Sequence, residues 1–364
     1  MIKKYDNKIG FREFFAIVFF AIGMKLTDTT PILLVKLGLN ASWMIPIISG
    51  MIILVSFLFL LSLLKRYKNK SLIDIIYHLT GKFFGFFMIL LLFLMVLEYL
   101  VVSTRDYADI LNTLFYLRTP LKYLLIMLIV AAIYIAYKGL NIIGSLCWFT
   151  YPLIQLVFVF LILLSWEQLD FNYLFPLGGS GMRTILKEGV VHSSIVSEII
   201  LLSIFFPKVR SYKEYRNANL AGLGISVIFI SIFMICFICT YGYLALSSIT
   251  YPYQQITRLV SLGRFAKNME AFFLGFWTIG VSVRFGAYFY AAATLGGSLL
   301  KIKNPKTLLP YLAIVVYILA RLPENFTEYV FSVRKVWVTI LWGYLLSLSP
   351  FLWTVAKLKG EYKT

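Results

Sequence analysis

Charged residues are scarce in this 364-residue chain, where Asp, Glu, Lys and Arg make up 14% of the residues against 60% hydrophobic residues. An ordinary soluble domain has about a quarter of its residues charged, so that class is excluded. The apolar runs are long and unbroken, whereas the strands of a membrane β-barrel alternate apolar and polar residues. The composition therefore predicts an all-α polytopic membrane protein surrounded by membrane lipid.

Histidine and cysteine are also rare, with two and three copies. The sequence holds no Ser/His/Asp set and no cluster with metal-ligand spacing, so we expect no enzyme, no metal site and no cofactor. The cysteines lie inside apolar runs and are expected to be buried and unpaired. The first apolar run lacks an A-x-A-like cleavage site, so we also expect no cleaved signal peptide. Channel, transporter and receptor remain as classes.

Acidic residues are outnumbered by basic ones, 16 to 34, for a net charge of +18. One set of alternate loops holds 20 Lys and Arg residues and the opposite set holds 10. Cytoplasmic loops carry the excess of Lys and Arg, so both termini are predicted to be cytoplasmic. The positive charge thus follows from topology, and we expect no nucleic-acid partner.

The apolar segments predict ten membrane spans in a single transmembrane domain over residues 1–364. Five spans precede the loop at 166–183 and five follow it, which gives a first repeat at about 11–165 and a second at about 184–356. The predicted spans are 11–35, 42–64, 83–110, 120–137, 142–165, 184–206, 217–246, 268–299, 307–321 and 334–356.

Polar residues interrupt the first span near its middle, between Ala21 and Pro31. Lys25 and Asp28 lie there, and charge at membrane depth is costly, usually paired and often functional. Gly23 before them and Pro31 after them favour a discontinuous helix, whose half-helix ends form binding sites in transporters. The alternative is a kinked helix with Lys25 snorkelling and Asp28 in an outer loop.

A second interruption lies in the sixth span, between Lys187 and Ile199. Gly189 and the Ser193-Ser194 pair weaken the helix there. In transporters built from two inverted five-helix repeats, spans one and six are symmetry mates, and paired breaks indicate a site at the membrane midplane. The alternative is that the serines return hydrogen bonds to their own helix and that His192 is a satisfied core histidine.

Further charged residues are predicted at or near membrane depth. Arg105 and Asp109 are four residues apart and can pair on one helix face as an interfacial ion pair. Arg284 needs a carboxylate partner or a water-filled route, and Glu98 and Glu198 are the candidate partners. Such a network can serve gating or coupling, or it can be structural.

Two connecting segments are predicted to be helical. Residues 71–79 begin with an N-cap serine and show helical spacing, which predicts a short amphipathic helix on the cytoplasmic face. Residues 247–262 contain Pro252 and Arg258 and are predicted to fold as an extracellular helical lid or plug.

Taken together, these pieces resemble the B subunit of GerA-type spore-germination receptors, within the amino acid–polyamine–organocation transporter superfamily. The resemblance spans essentially the whole chain. It is carried by Thr119-Pro120, Ala136-Tyr137-Lys138-Gly139, Ile143-Gly144, Leu174-Phe175-Pro176-Leu177, Glu198-Ile199-Ile200-Leu201-Leu202 up to Pro207, Tyr251-Pro252 with Arg258, and Arg264 ahead of Glu270.

The resemblance implies a ten-span, five-plus-five inverted repeat of the LeuT type. It implies a small germinant, such as an amino acid, bound between spans one, three, six and eight. It further implies an A subunit and a lipoprotein C subunit as partners in the inner spore membrane. A proton-coupled amino-acid transporter of the same fold is the alternative function.

The two interrupted spans and their neighbours predict a ligand site. The first break has one glycine, unlike the glycine-rich break of amino-acid transporters, so Lys25 is a candidate for a ligand carboxylate and Asp28 for a ligand amine. Glu98, Glu198 and Arg284 are predicted to couple or gate the site. The predicted ligand-binding residues are Gly23, Lys25, Thr27, Asp28, Val101, Val102, Ser193, Ser194, Ser197, Thr278 and Ser282.

Overall fold

The computed structural model describes residues 8–259, 269–323 and 326–362. Extended pairing within these ranges is confined to one parallel bridge, between Ile9 and Val209. The α-helices are α1 (Phe11–Ile22), α2 (Thr30–Gly38), α3 (Met44–Arg66), α4 (Leu72–Ile110), α5 (Leu121–Lys138), α6 (Leu140–Leu164), α7 (Met182–Val191), α8 (Glu198–Leu201), α9 (Tyr212–Leu246), α10 (Pro252–Leu259), α11 (Met269–Leu299), α12 (Leu309–Arg321) and α13 (Phe326–Leu358).

Each of the ten predicted spans falls on helical structure. In the described part of the chain, six helices are long and apolar enough to cross a membrane: α3, α4, α5, α6, α9 and α11. The pair Phe11–Thr27 and Thr30–Ala41 passes the same test of length and hydropathy when taken together, with a bend of 65° at its break, and brings the number to seven if it is one span. The sixth, ninth and tenth predicted spans fall on the short helices α7 and α8, on α12 and on α13.

The predicted amphipathic helix is the first part of α4. Ser71 caps it, because its hydroxyl accepts a hydrogen bond from the Asp74 backbone N–H (3.2 Å) and its own N–H donates to the Asp74 carboxylate (2.9 Å). Such a reciprocal capping box satisfies backbone donors that the first turn leaves unpaired. Gly81 has φ +77°, a left-handed conformation that suits glycine and ends this helix before span three.

Helix α1 lies at the centre of the core. Its residues from Phe14 to Ile22 are all buried, as expected for a helix that is apolar on every side. Phe19 packs edge-on against Tyr151 of α6 and Phe229 of α9, at ring-centroid distances of 5.0 and 5.9 Å. At Gly222 a Cβ would lie 2.6 Å from Val18, so the glycine allows α9 to approach α1 closely.

The helix order places both described ends of the chain on one side of the bundle, called here the terminal side. There the Ile9 N–H donates to the Lys208 carbonyl (2.9 Å) and the Arg210 N–H donates to the Ile9 carbonyl (3.0 Å). These bonds connect the segment before the first break to the segment after the second. Also on this side, the Glu361 carboxylate accepts from the Tyr67 hydroxyl and lies 3.1 Å from His78 Nε2.

The predicted lid occupies the opposite side as helix α10, where most of the residues from Pro252 to Thr257 are buried. Its Gln254 side chain donates to the Thr27 carbonyl in the first break (2.9 Å), so α10 covers that break. Predicted lid residues 260–262 lie outside the described ranges.

Candidate functional site

The first break is a change of helix type followed by a bend. After Ile22 the chain forms a 3₁₀ helix from Gly23 to Thr27, and Asp28 is extended. The Thr30 N–H donates to the Asp28 carboxylate (2.7 Å), an Asx-type turn that starts α2, and Pro31 fits its first turn. The predicted interruption at Gly23–Thr27 is confirmed.

The second break interrupts span six at the predicted place. Helix α7 ends at Val191, a 3₁₀ segment runs from Ser193 to Val196, and α8 has only four residues. Gly189 lies against α3, where the Ser49 hydroxyl donates to its carbonyl (2.8 Å). The contacts of His192 are those of a satisfied core histidine: its Nδ1 lies 3.0 Å from the Glu188 carbonyl and 3.2 Å from the Glu188 carboxylate.

Lys25 joins the two breaks. Its ammonium donates to the Ile195 carbonyl, inside the second break, and pairs with Glu198 Oε1. The Tyr288 hydroxyl of α11 donates to the same carboxylate oxygen (3.0 Å). Lys25 is 4% exposed and Glu198 is 7% exposed, so the alternative of a snorkelling Lys25 is wrong. Asp28 is also buried and does not lie in an outer loop.

Arg284 is 0% exposed and faces the first break. Its Nη1 donates to the Tyr107 hydroxyl (2.9 Å) and lies 3.9 Å from Asp28 Oδ2, and its guanidinium carbon lies 5.2 Å from the centroid of the Tyr99 ring. The prediction that Glu98 or Glu198 would pair with Arg284 is therefore corrected. Glu198 of the second break pairs with Lys25, and the carboxylate that faces Arg284 is Asp28 of the first break.

A cavity of about 110 Å³ lies between spans one, three, six, eight and ten. Its wall combines an ammonium, three carboxylates, two tyrosines and three serines with apolar side chains. The lining residues are Lys25, Met95, Val96, Glu98, Tyr99, Val102, Ser103, Asp106, Ser194, Ile195, Ser197, Glu198, Leu201, Tyr288, Leu341 and Leu345.

Of the predicted site residues, the structure brings six to this cavity: Lys25, Glu98, Val102, Ser194, Ser197 and Glu198. The others lie outside its lining: Gly23, Thr27, Asp28, Val101, Ser193, Thr278, Ser282 and Arg284.

Local bonding explains several of these positions. The Thr27 hydroxyl donates to the Met24 carbonyl (2.8 Å). Thr278 and Ser282 return their hydroxyls to carbonyls one turn earlier in α11, at 2.8 and 2.9 Å. Side chains satisfied in this way by their own backbone are not directed at a ligand.

Span three contributes more of the wall than the sequence analysis expected. Tyr99, Ser103 and Asp106 line the cavity together with Val102. Their spacing of three and four residues marks one helix face, which is a signal that the sequence contains. Leu341 and Leu345 of span ten had no such signal, because an apolar residue in an apolar span does not show which neighbour it meets.

The predicted Arg105–Asp109 ion pair is confirmed at 2.9 Å. Arg105 Nη1 also donates to the Ala320 carbonyl (2.9 Å), which ties α4 to α12. The pair is thus interfacial structure, as predicted.

The family model described as "Spore germination protein" matches residues 10–329 of the chain. The chain belongs to this spore germination protein family. Similar relatives include Spore germination protein YndE of Bacillus subtilis (24% identity over 290 residues, 78% of either chain) and Spore germination protein A2 of the same species (26% over 278 residues, 75% of either chain). Spore germination protein XB of Bacillus anthracis is 22% identical over 275 residues, which cover 74% of this chain and 77% of the relative.

Among solved structures, the germination-family chain is similar to Mhp1, a nucleobase-cation-symport-1 family transporter in a closed conformation with bromovinylhydantoin bound. The TM-score is 0.63 at 14% identity, over 96% of this chain and 78% of that chain. This likeness confirms the predicted fold class, with its five-plus-five repeat and discontinuous spans one and six. The family and the fold neighbour support a germination receptor or a transporter-like membrane protein. Neither is an enzyme, in agreement with the prediction.

Proposed function

We propose that this chain is the germinant-sensing integral membrane subunit of a spore-germination receptor. In this proposal a small molecule binds in the cavity between the two breaks. The cavity itself supports the proposal, because residues of both broken helices line it, and transporters of this architecture bind their substrates where discontinuous helices meet.

The cavity favours a small polar ligand such as an amino acid. Its volume of about 110 Å³ is below the roughly 150 Å³ of an apolar cavity that holds benzene, so the ligand should have fewer non-hydrogen atoms than the six of benzene, as the smallest amino acid does. Its wall offers both signs of charge, through Lys25 and through Glu98, Asp106 and Glu198. A small zwitterion has complementary groups for such a wall.

Signalling requires that the ligand bind one arrangement of the two breaks more tightly than another. Lys25 and Glu198 connect the breaks directly, so a ligand touching both residues can bias their relative position. A shift of this kind would pass to an A subunit and a lipoprotein C subunit, which we propose as partners. We also propose the inner spore membrane as the location, with both termini cytoplasmic.

The test changes the size of the cavity without changing its charge. Val102→Phe fills the cavity and Val102→Ala enlarges it, while Val130→Phe makes the same exchange at an exposed position of α5. We expect spores with Val102→Phe to lose their response to amino acids at a normal protein level. Val102→Ala should shift the response toward larger amino acids, and Val130→Phe should respond normally. Unchanged concentration dependence for both Val102 variants would place the ligand elsewhere.

A proton-coupled amino-acid transporter is the second candidate. The fold neighbour is a transporter, and buried carboxylates at Asp28, Asp106 and Glu198 would suit a proton path. Reconstitution in liposomes with labelled amino acids separates the two functions. Accumulation driven by a proton gradient, together with normal germination of spores lacking the chain, would overturn the receptor proposal.

A further inference from the structure

The surroundings of the Lys25 ammonium have the composition of a cation site. The group contacts the Ile195 carbonyl and the Glu198 carboxylate, and it lies 5.7 Å from the centroid of the Tyr99 ring. A carbonyl, a carboxylate and an aromatic face are three groups that attract a cation. All three belong to other spans, namely six and three, whereas the ammonium is carried by the break of span one.

The carbonyl belongs to backbone that would coordinate a free ion in a coupled transporter. Ile195 lies in the 3₁₀ segment between α7 and α8, where the α-helix is interrupted. In discontinuous transporter helices, unwound carbonyls of this kind coordinate the coupling Na⁺ or H⁺. The fold neighbour is named as a cation symporter. In this chain a covalently attached ammonium contacts a carbonyl of this unwound kind and the nearby Glu198 carboxylate.

We propose that Lys25 is a built-in cation that takes the place of a mobile monovalent cation at the second break. The closed arrangement of the two breaks then needs no dissolved ion. This inference deepens the proposed function, because Lys25 lines the same cavity. It rests on that function only for one consequence, which is that the germinant response should not depend on Na⁺.

Tethering explains why the site would be filled at any salt concentration. A free ion must be drawn from solution, so its stabilising effect grows with its concentration relative to Kd. Lys25 is already held beside Ile195 and Glu198 by the fold, so its effective concentration does not depend on the medium. Removing the ammonium while keeping Glu198 leaves a buried carboxylate without its cation and opens space beside it.

The experiment measures the thermal stability of the purified full-length chain in detergent, at constant ionic strength, in NaCl, methylammonium chloride or choline chloride. Wild type should unfold at the same temperature in all three salts. Lys25→Ala should unfold at a lower temperature in choline and regain stability in NaCl or methylammonium. A cation at tenfold its Kd would raise the ratio of folded to unfolded protein about tenfold.

Two matched variants make the result specific. Lys25→Met keeps the side-chain volume and should show no salt difference, because the methionine occupies the space. The double variant Lys25→Ala with Glu198→Ala removes both charges and should also show no difference in stability between the salts. It remains informative if the single alanine variant is hard to purify, because loss of the whole pair is milder than loss of one partner.

A Lys25→Ala variant with the same stability in every salt would overturn the proposal, as would a wild-type chain stabilised by Na⁺ or methylammonium over choline. Neither readout involves a germinant. The built-in cation can therefore fail while the germinant site stands, and the reverse also holds.

Discussion

Arg284 offers the most direct test of the electrostatics at the first break. The guanidinium is fully buried, with Asp28 Oδ2 at 3.9 Å and the Tyr107 hydroxyl at 2.9 Å from its Nη1. At an effective dielectric constant of 20, opposite unit charges at this separation attract by about 4 kcal/mol. Breaking such a buried pair from one side typically costs about 3–5 kcal/mol, because the remaining charge keeps its desolvation penalty.

We therefore expect Arg284→Met and Asp28→Asn each to be strongly destabilising alone, and the double variant to lose less stability than the sum of the two single losses. The asparagine keeps an oxygen for the Thr30 N–H, so this change isolates the charge. The double-mutant cycle should give a coupling energy of about 2 kcal/mol, within the range of about 0.5–3 kcal/mol found for contacting residues. The assay is reversible unfolding in mixed detergent micelles, followed by tryptophan fluorescence.

The matched control pairs Arg284→Met with Glu98→Gln, since Glu98 was a candidate partner from the sequence. These changes should add within about 0.5 kcal/mol. Additive losses for Arg284 and Asp28, or coupling to Glu98 in their place, would refute the assignment of Asp28 as the counter-charge.

Three other outcomes are expected. Gly189→Ala should destabilise the chain by about 1–3 kcal/mol in the same unfolding assay, because a Cβ there would lie 2.7 Å from the Cβ of Ile48, whereas Gly224→Ala, with open space around it, should not. A hydrogen bond from the Tyr67 hydroxyl lowers the pKa of the Glu361 carboxyl below its ordinary value of 4.5. The contact between Glu361 and Tyr67 should therefore be intact at neutral pH and be lost as the pH falls below 4.5. Tyr67→Phe should move that loss to higher pH in limited proteolysis of the C-terminal segment, and an unchanged profile would contradict the contact. The three native cysteines are buried, so they should not react with a membrane-impermeant thiol reagent. Such a reagent should therefore label only the introduced cysteine in Asn172→Cys and in Lys68→Cys, and it should do so from opposite sides of the membrane. Labelling of both variants from one side would contradict the topology.

Local sequence alone determined the spans and their breaks. Ten apolar segments and two polar interruptions are properties of neighbouring residues. Gly23 and Pro31 act on the backbone within one turn of their own position, so this effect does not depend on the rest of the fold. The Ser71 capping box and the Arg105–Asp109 pair are likewise set by spacings of three and four residues.

Only the tertiary structure decided which charges meet. The Lys25 ammonium and the Ile195 carbonyl are 170 residues apart, and Arg284 and Tyr107 are separated by 177. Helical spacing shows which residues share a face of one helix, but it does not show how that helix is rotated against a partner from the other repeat. The sequence therefore predicted that buried charges need partners, whereas the rotation of spans one, six and eight assigned Glu198 to Lys25 and Asp28 to Arg284.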